Sequence, residues 1–342
     1  LAYHGIRGYA TSIGRAPVPG FIDPAAGSVL SIAEALTNII WAPLTHNLEG
    51  VSLSANWMWP SKNEGEDSRL YCAVEAASDF AVSLGINIPT GKDSLSMTQK
   101  YEEEMVYAPG TVIISAAAEV DDVRNVIEPV LLNDTDTIIV HIDFSSDEKK
   151  LGGSSFAQLM NKVGSETPKV KDRRYFLKTF RAIQEMIREN KIISGHDISA
   201  GGMITTLLEM CFSNTEGGMS IDLSGFEETD IFKLLFSENP GIVVQVSDKA
   251  DLELLDSIGI KYVIMGKPLP ERKIHIDADD MKYDLNIDEL RDKWYRSSYL
   301  LDRKQSGPQL ARKRYENYKS QPLELRFPDF PGTYAAYGID PY

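Results

Sequence analysis

Cysteine is nearly missing from this sequence: 342 residues contain two, Cys72 and Cys211, far apart in the chain. That scarcity excludes a disulfide framework and a CxxC metal clip, and it fits a reducing compartment, so a cytoplasmic setting is expected. No apolar run is long enough to cross a bilayer, because each is broken by Asp, Glu, Asn or Pro. The opening LAYHGIRGYATSIGRAP holds no apolar signal core. Basic charge is in deficit: 35 Lys and Arg stand against 50 Asp and Glu, a formal net charge of −15. Such a surface argues against nucleic acid or an anionic membrane as the main partner, while leaving room for a local phosphate pocket. The histidines (His4, His46, His141, His196, His275) form no cluster. A GxSxG elbow and the GxxxxGK[ST] spacing of a P-loop are both lacking, so Ser-His-Asp and Walker chemistry are not expected. There is no internal repeat.

What is present is a globular pattern. Hydrophobic residues make up 43% of the chain, and its length suits two ordinary domains or one large one. Apolar residues at helical spacing predict helices over 28–44, with Ser28 or Ser31 as N-cap, and over 67–85, with Asp67 as cap and Gly85 as stop. VSLSANWMWP (51–60) and GTVIISAAAEV (110–120) read as strands, and IPTGKDSLSM (88–97) as a loop leading into a strand. The acidic, Pro-containing stretch 121–136 is the natural boundary. Beyond it come strand 137–144, a Gly turn opening a helix at 151–164, and helices over 172–190 and 198–214. GIVVQV, YVIMG, KIHID and KYDLNI supply further strands. The expected organisation is a domain over 1–131, an α/β domain over 132–290, and a charged helix with a linker over 291–342. The chain starts without Met and closes on Pro-rich, linker-like text, so a segment of a longer polypeptide is expected.

Four motifs could carry chemistry. Glu34 and Asn38 in EALTN are four apart, on one helical face, where two oxygen ligands could share a hard cation. Taken alone, the pair is more simply the polar side of an amphipathic helix. In GKDSLSM (91–97), Gly91 permits close backbone approach, Lys92 can neutralise phosphate, Asp93 can hold Mg²⁺, and Ser94 and Ser96 can donate. An ordinary turn is the alternative. In GHDISAGGM (195–203), Asp197 and Ser199 precede a helix start carrying Gly201 and Gly202, where free amides favour an anion. Asp197 is there either a metal ligand or an N-cap. His196 reads as a packed, hydrogen-bonded residue. LGGSSFAQ (151–158) has the Gly-Gly-Ser form of a phosphate cradle, a form that many empty turns share.

The order of these motifs is more specific than any one of them. IDPAAGSVLSIAEALTN, LSANWM, PTGKDSLSM, LGGSSFAQ, HDISAGGM and LFSENPGIVVQV follow one another from about residue 5 to about 330. This succession resembles the second synthetase half of the large, single-chain phosphoribosylformylglycinamidine synthases, within the aminoimidazole ribonucleotide synthetase-like superfamily. The resemblance implies an α+β N-terminal domain that pairs with a sister half, and an α/β C-terminal domain. It implies an ATP-dependent carbon–nitrogen ligase of purine biosynthesis, acting on formylglycinamide ribonucleotide with glutamine as amide donor. It assigns Glu34, Asn38 and Asp197 to Mg²⁺ at an auxiliary site holding ADP, with Ser199 on the nucleotide. Lys92 and Asp93 would meet ATP and its metal at the shared catalytic site, Ser94 or Ser96 the substrate, and Asn56 would border the nucleotide there. The resemblance also implies that the family's general-base histidine belongs to the first half, that a further acidic ligand would lie just upstream of Leu1, and that a glutaminase domain would follow Tyr342. The isolated segment is therefore expected to be inactive alone, and to form dimers through an apolar pairing face.

Overall fold

The computed structural model describes residues 5–278, 281–317 and 338. Arg7–Asp288 form one compact unit, and the residues from Glu289 onward fall in a second. The compact unit begins with β1 (Gly8–Arg15), α1 (Pro17–Ile22), α2 (Pro24–Ile39), β2 (Ser52–Met58), α3 (Glu66–Leu84) and β3 (Asn87–Ser94). A short hairpin, β4 (Thr98–Tyr101) and β5 (Glu104–Tyr107), precedes β6 (Thr111–Val120). Four of these strands make a sheet in the order β1-β6-β2-β3, antiparallel except for the β2–β3 pair that α3 connects. Alternation along β2 and β6 turns Leu53, Ala55, Ile114 and Ala116 inward, to pack with Leu36 of α2 and Phe80 of α3. The opposite face stays open. Expected to be an apolar pairing surface, it shows mainly Thr, Ser and Ala, with Tyr9 and Ile13 exposed on β1.

The chain continues through β7 (Ile138–Asp143), α4 (Ser155–Leu159), α5 (Arg173–Arg188), β8 (Ser194–Ile198) and α6 (Gly202–Phe212). It then runs through β9 (Gly218–Asp222), α7 (Ile231–Phe236), β10 (Gly241–Val246), α8 (Glu253–Ser257), β11 (Tyr262–Leu269), β12 (Lys273–Ala278) and β13 (Met281–Asn286). Seven strands form a second sheet, β13-β12-β9-β11-β7-β10-β8. Helices and strands alternate as the sequence implies, yet only β9 and β12 pair in parallel. The sheet is covered on both faces, which is why β10 is buried at every position. One core runs from the first sheet into the second through the edge-on rings of Phe80, Phe176 and Phe144, with centroids 5.5 and 5.2 Å apart. Such pairs add about 0.5–1.5 kcal/mol each beyond their buried area. In the second unit, α9 (Ile287–Gln305) and α10 (Pro308–Asn317) are joined by stacking of Tyr299 on Tyr315 and by the Arg314–Asp302 ion pair. The linker expected beyond them falls largely outside the described residues.

Several local expectations are corrected. The cap of α2 is Asp23, which accepts from Ala26 N at 3.0 Å ahead of Pro24. Ser28 and Ser31 lie inside the helix and bond back to Ala25 and Gly27 carbonyls. Gly65, not Asp67, caps α3, and a left-handed Gly85 closes it as expected. Residues 87–94 are strand, followed by loop. Gly91 allows this, because a Cβ there would meet the Ala55 carbonyl of β2 at 2.2 Å. The helix at 151–164 is only the five residues of α4, ended by Asn161 in the left-handed region. Residues 194–198 are strand, so the helix predicted from 198 starts at Gly202.

His141 on β7 is buried against the Phe226 ring. Burial, helped by nearby Lys149, pulls its pKa down to about 3. An unfolded His titrates near 6.5, so between these values the unfolded chain binds the extra proton and stability falls as pH falls. Between pH 7 and pH 5 the wild-type chain should lose roughly 2 kcal/mol that His141→Gln does not lose. Urea unfolding of both proteins at the two pH values checks this, and parallel losses would contradict it.

Candidate functional site

α2 presents Glu34 and Asn38 one turn apart toward the end of β8, where Asp197 sits with Ser199 just beyond it. Glu34 and Ser199 line a cleft of about 240 Å³ together with Arg15, Leu30, Ser155 and Glu238. Asn38, Asp197 and Ser199 line an adjoining cleft of about 360 Å³ beside Trp41 and His196. Ser199 borders both, so the two clefts lie side by side about that residue. The packing is tight for a sequence reason. Gly195 lies under the Trp41 ring, which a Cβ would strike at 2.2 Å. Gly201 and Gly202 both take positive φ to turn the chain from β8 into α6. The Gly-Gly-Ser-Ser loop reaches the same cleft through left-handed Gly153 and Ser155, while Ser154 caps α4.

The electrostatics are those of crowded carboxylates. Burial pushes Glu34 up to about 7, although its Oε2 accepts from Arg15 N at 2.7 Å; the charges of Asp197 and Glu238 push the same way. Burial also raises Asp197, against the opposing pull of His196. Burial alone would lower His196, but Glu209 and Asp197 outweigh it and hold it above its ordinary value. The His196 Nε2 lies 3.4 Å from Glu209 and its Nδ1 lies 2.8 Å from the Asp197 carbonyl, so the ring is engaged, as its sequence context implied. A cation among these oxygens would relieve the repulsion. The donors are two carboxylates and an amide, a hard set suited to Mg²⁺. Among the described residues no three acidic, His or Cys side chains stand close enough to hold a metal by themselves.

The other expected residues lie elsewhere, on the four-stranded sheet. Lys92, Asp93 and Ser96 are exposed and Ser94 half-buried on or just after edge strand β3. Lys92 Nζ donates to Ser94 Oγ at 2.8 Å. Asn56 of β2 pairs in register with Lys92, and its Oδ1 is buried without a hydrogen-bond partner. Strand alternation puts Asn56, Lys92 and Ser94 on the open face and Asp93 on the other, so Lys92 and Asp93 diverge. None of the five lines the Glu34 cleft. The cleft residue missed in the sequence is Glu238. Its Oε1 accepts from Ser155 N at 2.7 Å and from Gly201 N at 2.8 Å. An acid directly before Asn-Pro-Gly, between a helix and a buried strand, was the available signal.

Comparison with known proteins places two domains on the chain. Residues 1–119 match the FGAR-AT PurM_N-like domain, and residues 136–277 match the C-terminal domain of AIR synthase related proteins. A probable phosphoribosylformylglycinamidine synthase of Arabidopsis thaliana, named chloroplastic/mitochondrial, is 37% identical over 88% of this chain and 22% of its own length. The phosphoribosylformylglycinamidine synthase of Dictyostelium discoideum is 34% identical over 92% of this chain and 25% of its own length. The enzyme of that name from Homo sapiens is 32% identical over 90% and 23%. The chain thus spans about a quarter of the curated relatives it matches. Among solved structures, T. maritima PurL complexed with FGAR superposes with a TM-score of 0.66 at 15% identity, over 83% of this chain and 46% of that one. The same protein complexed with ADP gives 0.62 at 15% identity, over 85% and 46%. At these identities the structures speak for the fold.

Proposed function

Because the chain belongs to the phosphoribosylformylglycinamidine synthase family, we propose that it is the second synthetase half of such an enzyme and that its cleft binds a Mg²⁺-nucleotide. The observation that carries the reading is the gathering of Glu34, Asn38, Asp197 and Ser199 on two clefts that adjoin at Ser199, from α2 and the β8–α6 turn. Glu34 and Asp197 offer carboxylate oxygens to the cation, Asn38 offers an amide oxygen, and Ser199 donates to the nucleotide. Mg²⁺, when bound, supplies neutralisation of phosphate charge. The left-handed glycines at 153, 201 and 202 let the backbone turn beside the cleft where a Cβ would strike Pro19, Thr205 and Leu235.

The whole enzyme would convert formylglycinamide ribonucleotide, ATP and glutamine to formylglycinamidine ribonucleotide, ADP, phosphate and glutamate. ATP phosphorylates the amide oxygen, and ammonia released from glutamine then displaces phosphate. Asn56, Lys92, Asp93, Ser94 and Ser96 would serve that reaction at a second nucleotide site shared with the sister half. The glutaminase belongs to another domain of the same polypeptide, and the setting is cytoplasmic. We place the domain boundaries at 131 and 290, and take the open sheet face as the pairing surface, able to hold a second copy when the sister half is missing.

The proposal is tested at Asp93 in the complete enzyme. Asp93 is exposed on an edge strand, so Asp93→Ala should shift stability by less than about 0.5 kcal/mol. Turnover should fall by roughly tenfold or more, as expected for loss of a carboxylate that holds the metal of the transferring phosphate. Unchanged kcat and KM would remove Asp93 from the reaction.

A further inference from the structure

The turn Ser237–Gly241 that leads into β10 does more than connect. Glu238 Oε1 accepts two backbone amides, Ser155 N at 2.7 Å and Gly201 N at 2.8 Å. One amide opens α4 after the Gly-Gly-Ser loop, and the other sits at the turn into α6. Next to it, buried Asn239 donates from Nδ2 to Ser145 Oγ at 3.2 Å and to the Glu148 carbonyl at 3.1 Å. Pro240 lines the cleft, and its carbonyl accepts from Phe144 N at 3.0 Å. One short turn therefore ties together three segments that wall or support the cleft. We propose that Glu238 is a positioning residue: its carboxylate locks the 153–155 and 199–202 loops in the spacing that ligand binding requires. The inference rests on the nucleotide reading of the cleft.

The two amide bonds need an oxygen acceptor, not a charge. Glutamine supplies an amide oxygen at the same reach, and alanine supplies nothing. A residue acting as a direct cation ligand would instead need its charge. The test is calorimetric titration of the nucleotide-stripped complete enzyme with ADP and Mg²⁺, for wild type, Asp197→Asn, Glu238→Ala and Glu238→Gln. Heat lost in Asp197→Asn defines binding at this cleft. Glu238→Ala should weaken that binding about tenfold, and Glu238→Gln should restore it to within about twofold of wild type. If Glu238→Ala binds like wild type while Asp197→Asn does not, the positioning role is wrong. If Glu238→Gln is as weak as Glu238→Ala, charge is what matters, and Glu238 is a cation ligand instead. Absence of any Asp197-dependent heat overturns the nucleotide reading and this proposal with it.

Discussion

Gln184→Leu should destabilise the chain by roughly 3–4 kcal/mol, a large loss for one side chain of similar size. Gln184 on α5 is fully buried and makes three bonds to the backbone that follows α2. Its Oε1 accepts from Leu44 N at 2.9 Å, and its Nε2 donates to the carbonyls of Ile40 at 2.6 Å and Ala42 at 3.0 Å. The Ile40 carbonyl lies at the C-cap of α2, where a helix leaves carbonyls without partners, and the other two groups belong to the turn that follows. Leucine fills the space and strands all three, each at about 1–3 kcal/mol before relaxation. Gln184→Glu would be no remedy, because a carboxylate keeps the acceptor, loses both donors and buries a charge. Urea unfolding at pH 7 measures the loss, and a change below about 1 kcal/mol would show that the turn finds other partners. The consequence reaches the site, since the helix that ends in this turn carries Glu34 and Asn38.

At Asp197 the expected effect is on ligand and not on the empty protein. Asp197→Asn should weaken Mg²⁺-nucleotide binding by roughly a hundredfold, as loss of an anionic ligand from a hard-cation site does. Without ligand the variant should be as stable as wild type or more so. The reason is the sign of the pKa shift. Burial raises the folded pKa of Asp197 above its unfolded value, so at neutral pH the folded chain accommodates the ionised carboxyl less well than the unfolded chain does, and that costs stability. With ligand at a hundred times Kd the wild type gains about 2.7 kcal/mol, and the variant loses most of that gain. Thermal unfolding with and without ADP and Mg²⁺ separates the two states. A variant that keeps the full ligand-dependent rise would take Asp197 out of the site.

Much of this was legible because period and position agree. The amphipathic spacing of α5, the apolar run of β10 broken only by Gln245 and the stop at Gly85 all report local physics, and the structure follows them. The pairing of Glu34 with Asn38 was likewise a matter of helical geometry. What stayed hidden depends on distant chain. Strand β3 exists because β2 offers a parallel partner, and Gly91 looks like a turn residue until the Ala55 carbonyl lies beside it. The β4–β5 hairpin is almost wholly exposed and carries no apolar alternation to announce it. Asp23 and not the serines deeper in the helix caps α2, because Asp-Pro is the stronger start signal. Glu238 gained its meaning only when folding brought two helix starts, far apart in sequence, to one carboxylate.

We propose that this chain itself carries a nucleotide cleft built from α2 and the β8–α6 turn. The most direct test is calorimetric titration of the 342-residue chain with ADP, with and without Mg²⁺, beside Asp197→Asn. The account predicts saturable binding at one site, dependent on Mg²⁺ and lost in the variant. No binding up to about 1 mM ADP, which corresponds to roughly 4 kcal/mol of affinity, would contradict it, as would equal binding by the variant.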